Sequence, residues 1–356
     1  GISPVQIRSI RASSLVGVPG RRTRAMPRKP AAARKPAAKK AQPSAARRLS
    51  SELPAPPAKR AGGADLTLRC LGFCGADDSA DPASLRAISE AHEWVEWGVL
   101  FRPDKAGQPR YASAAWLRRL AKANGARRMR LAAHLCGARV DEVLRGETAF
   151  VRKVTSEVGF QRVQINATAV NGVDVGVFAS AAGAKRCAAA VRAAAAALPH
   201  VEFIIQRNGL TRRLWEQLDD APPPNLSFLF DESMGTGVAT AAWPPPPAGM
   251  ELFGYAGGLN PGNVRAQIVA MGRAAAGRTL WCDMESGVPP PPPPRAATPR
   301  LSFPPARAGV RTARPSGEDI FDLDKCMACV RHAIALKVVP ATASVFGGRA
   351  TKRRRA

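Results

Sequence analysis

LFGYAGGLNPGNVRAQIVAMGRAAAGRTLWCDMESGV, residues 252–288, is the stretch whose reading decides the fold. An apolar run, LFGYAG (252–257), ends in a Gly-Gly turn. Asn260-Pro261 then reads as a cap residue before a proline at the first helical position, opening an amphipathic helix. A second apolar run, TLWCDM (279–284), follows and ends in another glycine-bearing turn. Strand, turn, helix and strand in that order are the unit of a parallel α/β fold. Working outward, six more apolar runs precede it: LTLRCLGF (66–73), WVEWGVLF (94–101), MRLAAHL (129–135), FQRVQIN (160–166), EFIIQ (202–206) and LSFLFD (226–231). Helix signals separate them, among them Asp81-Pro82 and Ser113 with Gly125 as its stop. A last helix is expected over Phe321 to Leu336. Eight strand–helix units predict a single α/β (β/α)8 TIM barrel over 65–338. An open doubly wound sheet fits the strand count and even spacing less well.

The formal net charge of +26 is unevenly placed. About 15 Lys/Arg and one acid fall in residues 1–64, and about five basic residues each in 289–318 and after Gly348. The remaining body is close to neutral, so the basic character belongs to the flanks. Residues 1–64 read as a disordered Arg/Ala/Pro-rich extension, 289–318 as a Pro-rich disordered insertion or a gene-model artefact, and 339–356 as a disordered basic tail. Met26 is a candidate start, and the acid-poor first segment suits a targeting peptide; the run PRKPAAARKPAAKK equally suits a nuclear or nucleic-acid-contacting tail. The expected setting is intracellular, plastid or cytoplasm before nucleus. No run of about 18 apolar residues exists, which excludes a membrane span of that kind. Seven cysteines without framework spacing read as a reduced set.

Barrels of this type build their chemistry at the C-terminal ends of the strands. Those ends present Cys74, Arg102, His134, Asn166, the run Gln206-Arg207-Asn208, Asp231-Glu232, Gly257-Gly258, and Asp283 with Glu285. The two Gly-rich turns, Gly257-Gly258 and Ser286-Gly287, follow the final strands. Turns of this kind aim several N–H groups at an anion, so a phosphate site is expected there.

Six of these segments, in order, resemble the phosphoribosylanthranilate isomerase family. They are FCGADDSADP (73–82), PRYAS (109–113), VQIN (163–166), LFDES with GTG (229–237), GGLNPGNV (257–264) and the Asp283, Ser286, Gly287, Val288 run. The resemblance implies an Amadori rearrangement of N-(5-phosphoribosyl)anthranilate, a step of tryptophan biosynthesis, by general acid–base catalysis without a cofactor. It assigns the base to Cys74 and the acid to Asp231. Arg110 would bind the anthranilate carboxylate, Asp283 would support the substrate site, and Gly257, Gly258, Ser286 and Gly287 would hold the phosphate. Three positions depart from the family pattern: Asn166 replaces its His, Val238 its Lys, and Pro289 follows the phosphate loop directly. They leave open a non-catalytic phosphosugar-binding barrel, or an isomerase of another phosphorylated sugar.

The partner expected is therefore a small phosphorylated substrate, with no membrane and no nucleic acid except through the basic flanks; oligomeric state is not legible. Cys326 and Cys329, in one helix without a second Cys pair, read as a buried structural pair rather than a metal site. His134 with Cys136 lacks an evident third ligand, so no metal is expected. Arg127, Arg128 and Arg130 read as a solvated helix–strand junction.

Overall fold

The computed structural model describes residues 66–231, 233, 240, 242–284 and 309–339. Eight strands form where the apolar runs lie: β1 (Leu68–Cys74), β2 (Val95–Phe101), β3 (Arg130–Leu135), β4 (Arg162–Ile165), β5 (Glu202–Arg207), β6 (Leu226–Asp231), β7 (Phe253–Ala256) and β8 (Leu280–Met284). Each pairs in parallel with the next, and β8 returns to β1 with Cys282 opposite Leu71. The sheet is closed, which excludes the open doubly wound alternative. Around it run α1 (Pro82–Ala91), α2 (Ala114–Ala123), α3 (Ala138–Leu144), α4 (Ala149–Glu157), α5 (Ala181–Ala197), α6 (Arg212–Asp219), α7 (Val264–Ala274) and α8 (Leu323–Leu336).

Helices and strands do not alternate one for one. Two helices follow β3, and among the described residues none joins β6 to β7. The Pro244–Pro247 run covers that side instead. Proline has no N–H, but its carbonyls still accept. Tyr255 donates to the Pro244 carbonyl at 2.6 Å, and Arg278 to those of Pro246 and Pro247 at 2.7 and 3.0 Å.

Three boundaries differ from the sequence expectation. Helix α7 begins at Val264 rather than Pro261. The Asn260 side chain accepts from Gly262 N–H at 2.9 Å, closing a turn that holds Pro261 outside the helix. The expected Pro-rich insertion is folded over 309–318, where β9 (Arg311–Ala313) pairs antiparallel with β10 (Asp319–Phe321). Arg311, fully buried, anchors this hairpin: it donates to Asp77 at 2.7 Å, to Asp319 at 3.2 Å and to the Gly75 carbonyl at 2.6 Å. Asp322 then caps α8 by accepting from the N–H groups of Asp324 and Lys325, so the helix starts at Leu323 and not at Phe321. The remaining insertion, 289–308, and the segments 1–65 and 340–356 lie outside the described residues.

Side chains alternate across each strand with period two. The outward set, including Leu71, Phe73, Val99, Leu131, Phe203 and Phe253, joins the helices in one large apolar core. Cys326 and Cys329 of α8 are buried in that core as free thiols, as the sequence suggests. The inward set is unlike it. Cys70, Ile204, Leu229, Ala256 and Trp281 meet across the barrel axis as a small apolar layer. Below them Arg162, 2% exposed, donates to Glu96 at 2.6 Å and to Glu202 at 3.1 Å, with its guanidinium 4.2 Å from the Trp281 ring centre. Burial alone would raise the Glu202 carboxyl, but Arg162, Arg69 and the Ser227 hydroxyl bring it down to about 2.

Glycine makes room for these large inward groups. A Cβ at Gly254 would lie 2.3–2.5 Å from three atoms of the Trp281 indole. Gly254→Ala should therefore cost about 1–3 kcal/mol of stability through overpacking, read as a lower urea midpoint at unchanged slope. An unchanged midpoint would contradict the tight interior described here. Arg162→Met strands Glu96 as a buried carboxylate and takes from Glu202 one of its two guanidinium partners, and should cost more, about 3–5 kcal/mol by the same measurement; a loss below 1 kcal/mol would contradict that account.

Candidate active site at the C-terminal mouth

The top layer of the interior is polar and buried: Cys74, His134, Asn166, Gln206, Asp231 and Asp283 come from β1, β3, β5, β6, β8 and the residue after β4. Cys74 and His134 sit on either side of β2, yet Cys74 Sγ lies 3.1 Å from His134 Nδ1. Gly98 of β2 allows this, since a Cβ there would lie 2.9 Å from His134 Nε2 and 3.0 Å from the Cys74 Cα. Asp283 Oδ2 is 4.0 Å from the same ring nitrogen. Gly72 leaves space for that carboxylate, as a Cβ would come within 2.8 Å of Oδ1.

Burial, together with the positive charge of Arg162 below, pulls His134 down to about 3. The imidazole is thus neutral at ordinary pH. A neutral ring can accept the thiol proton at Nδ1 in one tautomer and donate to the thiolate in the other, so it accommodates both forms of Cys74. The buried Cys70 lacks such a partner; burial and the neighbouring Glu96 push its thiol up to about 12.

Asp231, at the end of β6, accepts from Gln206 Nε2 at 3.1 Å and from Ser233 Oγ at 2.5 Å. A narrow cleft of about 10 Å³ is lined by Asp231, Ser233, Asp283, Gly257, Gly258, Gln164 and Gln206. Gly257 and Gly258 have φ of 126° and 62°, so only glycine fits their backbone without strain. Gln206 Oε1 is buried with no hydrogen-bond partner among the described residues. It is an acceptor awaiting a donor.

Cys74, Asp231, Asp283, Gly257 and Gly258, five of the site residues picked from sequence, are thus brought to one end of the barrel. Arg110 lies in the loop after β2 with φ 77°, and its backbone N–H donates to Asp77 Oδ2 at 2.6 Å, beside Arg311. Arg102 turns away to pair with Asp104 at 3.2 Å. Ser286 and Gly287, and with them half of the expected phosphate site, lie outside the described residues, as do Glu232 and Glu285. Asn166 accepts from Gln164 at 2.8 Å and donates to Cys136 Sγ at 3.5 Å, a buried amide pair where the family has an imidazole.

Sequence reading missed the His134 contact with Cys74 and the Gln206 contact with Asp231. It considered His134 with Cys136 instead, but the Cys136 thiol points to Asn171 Oδ1 at 3.7 Å. The strand-end position was a usable signal for both residues; their partners, 60 and 25 residues distant, were not. Donor atoms of Cys74, His134 and Asp283 lie within 4.8 Å of one another. Thiolate, imidazole and carboxylate are a donor set that could hold a divalent cation such as zinc.

No family model matches the chain, and no curated protein matches it. Several solved structures do. Phospho-2-dehydro-3-deoxyheptonate aldolase (DAHP synthase) from Thermotoga maritima is 12% identical, with 78% of this chain and 71% of that chain covered and a TM-score of 0.36. A D-psicose 3-epimerase crystallised with D-fructose is 13% identical over 61% and 86%, with a TM-score of 0.39. A putative lyase/mutase from Burkholderia cenocepacia is 16% identical over 61% and 76%, with a TM-score of 0.32. At such similarity these relatives add nothing to the closed barrel already read from the strand pairing. Among the described residues no helix is long and apolar enough to cross a membrane.

The His134 environment makes a measurable demand on stability. Its folded value lies below its ordinary 6.5, so the unfolded chain takes up the proton first. The stability it contributes is whole above pH 6.5 and is lost as pH falls toward 3. His134→Gln should flatten the dependence of the unfolding midpoint on pH across that interval. The same slope in variant and parent would place the imidazole in contact with water.

Proposed function

We propose that the mouth is the active site of an isomerase acting on a phosphorylated aminosugar, with N-(5-phosphoribosyl)anthranilate as its substrate and Cys74 and Asp231 as its acid–base pair. The observation that carries this reading is the placement of those two groups. They end β1 and β6, three strands apart in the closed ring, and each is oriented by a buried polar neighbour: His134 for Cys74, Gln206 with Ser233 for Asp231.

An Amadori rearrangement needs a proton delivered to the ribose ring oxygen as the ring opens to an imine. It then needs the C2 proton removed from that protonated imine to give an enolamine, which takes a proton at C1 and releases its C2 hydroxyl proton to become the aminoketone. Asp231 delivers the first proton. Ser233 supports both of its states, since a hydroxyl can donate to the carboxylate or accept from the acid. Cys74 removes the C2 proton, and His134 changes hydrogen-bond direction as sulfur gains it. The unpartnered Gln206 Oε1 takes a sugar hydroxyl. Gly257 and Gly258 admit the phosphate to their backbone, with Ser286 and Gly287 assigned to the same group, while Arg110 takes the anthranilate carboxylate and Asp283 borders the substrate.

Loss of anthranilate fluorescence on turnover provides the assay. Cys74→Ala and Asp231→Asn should each lower kcat by about 10²-fold or more with folding intact, and Gln206→Leu should raise KM more than it lowers kcat. Full turnover in both of the first two variants would remove them from the mechanism. Activity in the parent should survive exhaustive chelation; its loss and recovery with zinc would make Cys74 a metal ligand and not the base.

A further inference from the structure

The opposite end of the barrel holds a second cavity that the reaction above does not use. It measures about 570 Å³ and opens where the strands begin. Arg69, Arg127, Arg128, Arg130 and Arg162 line it, against the carboxylates of Glu93 and Glu202. We infer that this cavity is a binding site for a phosphate-bearing small molecule, held by the arginines of the α2–β3 junction over the buried Arg162.

Three features separate it from an ordinary solvated basic face. Glu202 is already committed within the fold, to Arg69, to Arg162 at 3.1 Å and to the Ser227 hydroxyl at 2.7 Å, so its charge is answered before an anion arrives. Arg127 donates to the neutral carbonyls of Thr155 and Ser156 at 3.5 and 3.4 Å, and Arg130 to that of Glu93 at 3.4 Å. Arg128 pairs with Glu90 at 3.7 Å. Five guanidinium groups line the cavity against two carboxylates. Finally, Arg162 is 2% exposed and its Nε is buried without a hydrogen-bond partner among the described residues, a desolvated donor in the cavity lining. Guanidinium groups lining a concave site favour phosphate oxygens over other anions, because the planar fork matches two of them at once.

The run Ala126-Arg127-Arg128-Met129-Arg130 builds the site by local geometry. Met129 is buried in the apolar core, which pins the segment, while Arg127 at φ 50° turns the chain sharply between Asn124 and β3. The arginines on either side of Met129 are thereby left on the rim.

Inorganic pyrophosphate titrated calorimetrically into the full chain tests the inference. The parent and an Arg127→Gln/Arg128→Gln double variant are compared at fixed ionic strength, both substitutions being at exposed positions. Affinity should fall at least tenfold in the double variant, while its urea midpoint and its turnover of phosphoribosylanthranilate without pyrophosphate stay unchanged. Equal affinity in the two proteins would overturn the inference and assign the binding to the basic flanks or to the mouth. Absence of pyrophosphate binding in the parent would overturn it as well. Absence of isomerase turnover would fall on the proposed reaction and leave the titration result standing.

Discussion

A guanidinium buried on the barrel axis sets the terms for this interior. Arg162 cannot be satisfied by neighbours on its own strand, so it recruits Glu96 from β2 and Glu202 from β5 and lies over Trp281 of β8. Four strands are tied to one group before any apolar contact is made. Removing a single partner would leave a buried charge unpaired, a larger penalty than the loss of any one aliphatic contact. Its influence reaches upward too. Together with burial, its charge keeps His134 neutral, and a neutral imidazole is what allows Cys74 to change protonation state beside it.

The interior above Arg162 is a compromise between bulk and polarity. Barrels of eight strands are usually filled by branched aliphatic layers. Here an indole, an imidazole and several amides and carboxylates take that space, and Gly72, Gly98 and Gly254 give up their side chains to admit them. The aliphatic packing is correspondingly moved outside the strands, to the surface shared with the helices. An interior built this way holds its polar groups in fixed directions, which is the condition for electrostatic preorganisation at the mouth.

Legibility followed the range of the interactions. All eight strands were readable because each is a local apolar run with a turn signal beside it, and the polar strand ends followed from their position. Cys74, Asp231, Asp283 and the Gly257-Gly258 turn could be picked out on that basis. The contact between Cys74 and His134 could not, since it depends on a missing side chain at Gly98 in the strand between them. The hairpin after the Pro-rich run was hidden for a similar reason: its anchor, Arg311, has one of its two carboxylate partners, Asp77, 234 residues earlier. That no helix joins β6 to β7 among the described residues was obscured by prolines, whose carbonyls hold the structure while their composition reads as loop.

The central claim, proton transfer at the mouth between Cys74, Asp231 and a phosphorylated aminosugar, is tested most directly by turnover of phosphoribosylanthranilate in D2O with the product examined by proton NMR. The account predicts an aminoketone carrying one deuteron at its C1 methylene, formed by the parent and not by Cys74→Ala. Deuterated product formed equally well by Cys74→Ala would contradict the assignment of the base, and no product from the parent would contradict the assigned reaction itself.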